Sequence, residues 1–204
     1  CLEQTHEKSI IQMKLTNNKK AELFAAPVWF FTIDDCQEMN RKIVKKSREL
    51  SSSTIGTIVS NEGGWHSELS FIKEVEALLF RKFLVDAIDR IACDISLEYS
   101  RLNFEMWCNI NYPSTFNLAH VHPGCQLSGV YYVKVPSNAG NIIFNNPDPH
   151  YVDCTKDKLF SRSVEIIPAE GLMIIFKSSM LHRVAVNRSE EDRISIAFNI
   201  IVVE

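Results

Sequence analysis

Residues 171–203 read Gly171-LMIIFKSSML-His182-RVAVNRSEED-Arg193-ISIAFNIIV-Val203. The stretch predicts three strands, at 171–177, 181–186 and 193–203, parted by a short Ser-Ser-Met turn and a polar run. Side chains of a strand alternate between its faces. On the last strand Arg193, Ser195, Ala197 and Asn199 therefore share one face, and Ile194, Ile196, Phe198 and Ile200 share the other. One face suits an apolar core. The other, small and polar, suits the inside of a sandwich or small barrel that holds a polar ligand.

The same alternation recurs upstream. Phe104, Met106, Cys108 and Ile110 oppose Trp107, Asn109 and Asn111, and further strands are expected at 127–135, 141–145 and 163–167. Earlier still the period changes. A strand interrupted near Pro27 is expected over 21–33, then an amphipathic helix over 35–50 capped by Asp34 or Asp35 and ended by Ser51–Ser53. Residues 61–67, Asn-Glu-Gly-Gly-Trp-His-Ser, read as a Gly-rich loop. A longer helix is expected over 70–94, burying Val75, Leu78, Leu79, Phe83, Ile88 and Ile91. The pattern is α+β in one domain over 1–204: a loosely ordered entry at 1–20, helical support at 21–95 and a sheet core at 96–204.

With 204 residues, one sizeable core is expected. A net charge of −3 gives no general attraction to a phosphate backbone, which argues against a nucleic-acid partner. The six cysteines form no Cys-x-x-Cys pair, so reduced thiols in a cytoplasmic setting are expected. Neither a membrane span nor the apolar core of a secretion signal is present.

Three histidines stand out: His120 and His122 in His-Val-His-Pro-Gly, and His182 at the head of its strand. Two histidines one residue apart on an extended segment share a face, and a third from a distant strand closes a facial set around one metal. Such a set suits non-haem Fe(II) with open positions. A buried Arg193 would grip a carboxylate in bidentate fashion. Each part has a plainer reading: strand histidines that merely pack, and Arg193 as a surface partner of Glu190, Glu191 or Asp192.

Taken in order, His-x-ligand, His and Arg-x-Ser over 103–203 resemble the Fe(II)/2-oxoglutarate-dependent dioxygenases, whose core is a double-stranded β-helix, or jelly roll. Gly-Gly-Trp-His-Ser, Trp107-x-Asn-x-Asn, Leu-Ser-Gly-Val-Tyr-Tyr-Val and Arg-Ile-Ser-Ile-Ala-Phe-Asn extend the likeness over 22–203 to the small 2-oxoglutarate/Fe(II) oxygenases of bacteria and their phages. The resemblance implies Fe(II), 2-oxoglutarate and O2 as cofactor and cosubstrates. It implies His120, His122 and His182 as ligands, with Arg193, Ser195, Tyr132 and Asn109 at the cosubstrate. Asn111, Tyr112 and His150 are its candidates for contact with a small-molecule, peptide or protein substrate. A homodimer stays open. The chain departs from the family in placing His122 where most members have Asp or Glu. Three neutral imidazoles leave the site one positive charge richer, which favours a dianionic cosubstrate. Another registration makes His122 the first ligand with Gly124 at the carboxylate position, as in halogenase-type sites. Two further alternatives are a binding module with a vestigial site and a three-histidine dioxygenase that needs no 2-oxoglutarate.

Overall fold

The computed structural model describes residues 26–69, 71–147 and 161–203. Among them, two antiparallel sheets and two helices form the frame. The major sheet has the order β1 (Val28–Thr32), β9 (Leu172–Lys177), β6 (Leu127–Lys134), β11 (Arg193–Val203), β4 (Arg101–Asn111), β3 (Trp65–His66). The minor sheet runs β2 (Asn61–Glu62), β5 (Phe116–His120), β10 (His182–Val184), β7 (Ile142–Asn145), β8 (Ser163–Ile166). Strands β4, β6, β7, β8, β9 and β11 lie where the sequence pattern puts them. The jelly-roll expectation holds.

Alternation in the central strands builds two cores. Tyr131 and Val133 of β6, Met173 and Ile175 of β9, and Ile194, Ile196 and Phe198 of β11 pack with the helices. Their neighbours Val130, Tyr132, Ile174 and Phe176 pack instead with Ile142 and Phe144 of the minor sheet. The two adjacent tyrosines thus face opposite ways. Tyr131 stacks on Phe80 at a centroid distance of 4.7 Å and donates to Asn40 Oδ1 at 2.7 Å. Gly129 of β6 lies against Phe198, where a Cβ would come within 2.4 Å of the ring and 2.5 Å of Ile174 O. Overpacking at such a site costs about 1–3 kcal/mol. Gly129→Ala is expected to lose that much in denaturant unfolding, and an unchanged midpoint would contradict the close approach.

Helix α1 spans Gln37–Ser53 and begins at Cys36, with no side-chain cap. Neither aspartate caps it. Asp35 has φ 52°, the left-handed region, whereas a capping side chain needs an extended backbone. Nor do the serines stop it. Ser52 Oγ donates to Glu49 O at 2.8 Å and Ser53 Oγ to the same carbonyl at 3.0 Å, so they serve the last turn instead. Helix α2 spans Val75–Ile95. Its buried stripe is Ala77, Phe80, Leu84, Ala87, Ile88 and Ile91, while Leu78 and Phe83 are exposed. Apolar residues surround much of this helix, and bulk alone selects the wrong phase; the alanines, which permit close approach, mark the packed side. The side chains of Val75 and Leu79 fall outside the described residues. The segment 61–67 is more than a loop: its ends form β2 and β3, one in each sheet.

Candidate metal centre

The register of the minor sheet sets the histidines. His120 closes β5 directly opposite His182, which opens β10. His120 Nδ1 lies 2.7 Å from Leu118 O, and His182 Nδ1 lies 2.9 Å from Met180 O. A carbonyl only accepts, so both Nδ1 atoms carry the proton and both Nε2 atoms keep a free lone pair. His122 lies beyond β5, so strand alternation is not what brings it to the site. It is turned in from the following segment, where its N–H donates to Ser178 O at 2.9 Å. Its Nε2 stands 3.3 Å from His182 Nε2. The three ligand atoms all lie within 4.8 Å of one another.

The histidines face a cavity of about 800 Å³ whose floor is the major sheet. Pairing of β11 with β4 lays the floor in rows: Arg193 with Asn111, Ser195 with Asn109, Ala197 with Trp107, Asn199 with Glu105. Trp107 carries His66 at 5.5 Å and His122 at 5.7 Å in stacked arrangements. His66 is held by Thr57 Oγ1 at 2.9 Å and Ser67 O at 2.6 Å, so it both packs and lines the cavity.

At the other end of the floor Arg193 is 1% exposed, and among the described residues no carboxylate pairs with it. Its acidic sequence neighbours turn outward, Glu191 to Lys134 at 2.7 Å and Asp192 to Arg48 at 3.7 Å. That rules out the surface-partner reading. The guanidinium lies over the Tyr132 ring at 5.2 Å, and Nη1 reaches Asn111 Oδ1 at 3.5 Å. Arg193 Nε, the Tyr132 hydroxyl and Asn109 Oδ1 are buried without a hydrogen-bonding partner. A buried cation with unanswered donors is costly, and the arrangement calls for an anion.

The candidates from sequence divide as follows. Arg193, Ser195, Asn109 and Asn111 line the cavity with all three histidines, and Tyr132 lies beside Arg193. Tyr112 does not belong: it packs on the outer, helix-side core, because it follows Asn111 and alternation sends it the opposite way. His150 lies outside the described residues. The sequence reading overlooked Glu105 and the network around Asn199, whose partners come from strands far apart in the chain. The four cysteines among the described residues are free thiols; Cys108, fully buried, is pushed up to about 12 by burial.

Residues 105–199 match the sequence profile of the family described as "Putative 2OG-Fe(II) oxygenase". Over that stretch the chain is similar to the 2OG-Fe(II) oxygenases. Among solved structures, a prolyl-4-hydroxylase of Pseudomonas putida is similar at TM-score 0.64 and 13% identity, over 85% of this chain and 91% of that one. A Trichoplax adhaerens prolyl hydroxylase in complex with a hypoxia-inducible-factor peptide fragment reaches 0.61 and 13%, over 85% and 83%. The epimerase SnoN of nogalamycin biosynthesis, in complex with Fe3+, alpha ketoglutarate and nogalamycin RO, reaches 0.64 and 13%, over 86% and 79%. At these identities the likeness is one of fold. No curated protein sequence matches this chain.

The residues at the site fit both groups that such oxygenases use, Fe(II) and 2-oxoglutarate. An imidazole–metal bond of about 2.1 Å puts two neighbouring ligand nitrogens about 3 Å apart, close to the 3.3 Å between His122 and His182. The unpaired guanidinium fits the far carboxylate of 2-oxoglutarate. Burial also keeps the imidazoles unprotonated and ready to bind. It is the main cause that lowers His182 to about 3 and His122 to about 4, with His120 adding Coulombic repulsion to each; His120 itself is lowered, again chiefly by burial.

The unfolded chain protonates these rings near the ordinary 6.5, the folded chain only near 3–4. Between those values the unfolded state binds more protons, so stability falls as pH falls. The metal-free protein is expected to lose unfolding temperature from pH 6.5 down to 4, and His122→Asn with His182→Asn should flatten that slope. An identical slope in the double variant would contradict the assignment.

Proposed function

We propose that the protein is an Fe(II)- and 2-oxoglutarate-dependent oxygenase that hydroxylates an organic substrate, with succinate and CO2 as coproducts. On this reading His120, His122 and His182 hold the iron, and Arg193, Ser195 and Tyr132 hold the far carboxylate of 2-oxoglutarate, with Asn109 beside it. Bound iron, with 2-oxoglutarate as the electron source, supplies activation of O2 for oxidation of a C–H bond. The protein's own part is positional. The carbonyls of Leu118 and Met180 fix two ring tautomers, and the row from Ala197 to Arg193 gives the cosubstrate a direction along the floor. Trp107, Val130 and Phe176 wall the centre with apolar surface that keeps water out.

The observation that carries the reading is the pairing, in one cavity, of converging imidazoles with a buried arginine that has no anion. That unpaired charge also disfavours a three-histidine dioxygenase without 2-oxoglutarate. Placement of His122 Nε2 beside His182 Nε2 supports three ligands over a set with a vacancy at Gly124. Val59, Leu69, Leu118 and Val121 line the cavity and are exposed, so the part of the substrate nearest the mouth is apolar. The similar structures hold a peptide fragment in one case and nogalamycin RO in another, and both a small molecule and a peptide or protein side chain stand as substrate classes here. Helices and sheets act as one domain in this reading, in a cytoplasmic setting. No helix of the described residues is long and apolar enough to cross a membrane.

The test is turnover of 2-oxoglutarate by the purified protein with Fe(II) and O2. Succinate and CO2 are expected in equal amounts, slowly without substrate and faster when one is supplied. No succinate from a folded, iron-loaded protein across a broad panel of peptides and metabolites would favour the vestigial-site reading.

A further inference from the structure

His122 differs from the other two histidines in how it is held. His120 and His182 each donate to a carbonyl two residues earlier on their own segment, while His122 stands outside any strand. Its main chain is fixed instead by Ser178 O, which accepts from its N–H at 2.9 Å, and by Cys125 Sγ, 3.3 Å from its carbonyl. Cys125 Sγ is 3.2 Å from Ser178 Oγ, and Ser178 Oγ is 3.1 Å from Ser128 Oγ. Ser128 Oγ donates to Asn199 Oδ1 at 2.9 Å, and Asn199 Nδ2 donates to Glu105 Oε2 at 2.9 Å. The chain of contacts therefore runs from His122 to a carboxylate. Its middle is enclosed, with Ser128 at 0%, Ser178 at 2% and Asn199 at 8% exposure, while Cys125 and Glu105 are half-buried. Asn199 and His122 line the same cavity, and the Asn199 amide partly offsets the lowering of the His122 ring by burial. Both bonds fix its amide the same way round: Nδ2 must face the Glu105 acceptor, so Oδ1 faces the donors and has a second lone pair for a ring N–H.

We propose that Asn199, backed by Glu105, is the positioning residue of His122: its amide oxygen holds the ring tautomer that turns Nε2 toward His182. Glu105 polarises that amide and brings a negative charge within two hydrogen bonds of a ligand set that has none of its own. The carboxylate that most of the family places on the metal is here one shell further out. The proposal rests on His122 being a ligand, as the proposed function has it. Loss of such an outer partner typically weakens metal binding by about 10–100-fold.

The test is anaerobic Co(II) affinity of the full chain, read by competition with a chelating dye, for wild type, His122→Ala, Asn199→Ala, Glu105→Gln and the combinations with His122→Ala. Asn199→Ala is expected to weaken Co(II) about 10–100-fold and Glu105→Gln about 3–10-fold. In the His122→Ala background both effects should vanish to within about 2-fold, because the residues act through that ring. Equal losses in both backgrounds would mean a general structural role and overturn the proposal. Wild-type affinity in Asn199→Ala, with His122→Ala impaired, would overturn it and leave the ligand set intact. Wild-type affinity in His122→Ala would remove the ligand itself and the proposal with it. Should Asn199→Ala fail to fold, Glu105→Gln, which removes only charge, carries the same comparison.

Discussion

His182→Ala is expected to abolish iron binding while leaving the fold in place. His182 is 5% exposed and stands between β5 and β7, register-paired to His120 on one side and Phe144 on the other. Its Nδ1 is held by Met180 O, so its Nε2 is fixed toward the site, and it is the most deeply buried of the three rings. Loss of outer-shell partners alone costs about 10–100-fold in affinity, so loss of this ligand should cost at least on the order of 100-fold. The vacated space is walled by Phe144 and Phe176, and the rest of the strand pairing does not depend on the ring. Circular dichroism of the metal-free variant should match wild type, and metal competition should show the loss. Binding within a few-fold of wild type would remove His182 from the ligand set.

Arg193→Met should separate binding from stability in an unusual way. The side chain is buried, charged and without an anionic partner, so in the absence of cosubstrate its charge opposes folding. Replacing buried charge with apolar volume is often neutral or stabilising by about 1–4 kcal/mol. The metal-free variant is therefore expected to unfold at the wild-type temperature or above it. Cosubstrate binding should collapse. A bidentate, charge-assisted contact is worth about 3–4 kcal/mol, or about 100- to 1000-fold in affinity for 2-oxoglutarate. Iron affinity without 2-oxoglutarate should change little, since Arg193 lies at the far end of the floor from the histidines. A destabilised variant with unaltered 2-oxoglutarate affinity would contradict both halves.

What could be read from the sequence was whatever obeys a short period. On β11 the alternation of Arg193, Ser195, Ala197 and Asn199 with large apolar residues gave the cavity floor directly, and β4 matched it with Trp107, Asn109 and Asn111. Tyr131 and Tyr132 had to face opposite ways, and they do. The misreadings come where no period applies. Two-residue strands such as β2 and β3 are too short to show one. Helix α2 has too many apolar residues for bulk to pick its packed side. Tyr112 follows Asn111 directly, and neighbours along an extended chain cannot share a face, so it packs on the helix side. His122 reaches the site by a turn, and the Glu105–Asn199–Ser128 chain joins three strands that only the folded sheet makes adjacent.

One cavity that holds iron and 2-oxoglutarate together is the central claim. Anaerobic titration of the metal-free protein with Fe(II) and 2-oxoglutarate, followed in the visible range, tests it most directly. A charge-transfer band of the chelate should appear only when both are present, and should be absent from His182→Ala. A folded protein that gives no band, or a band undiminished in His182→Ala, would contradict it.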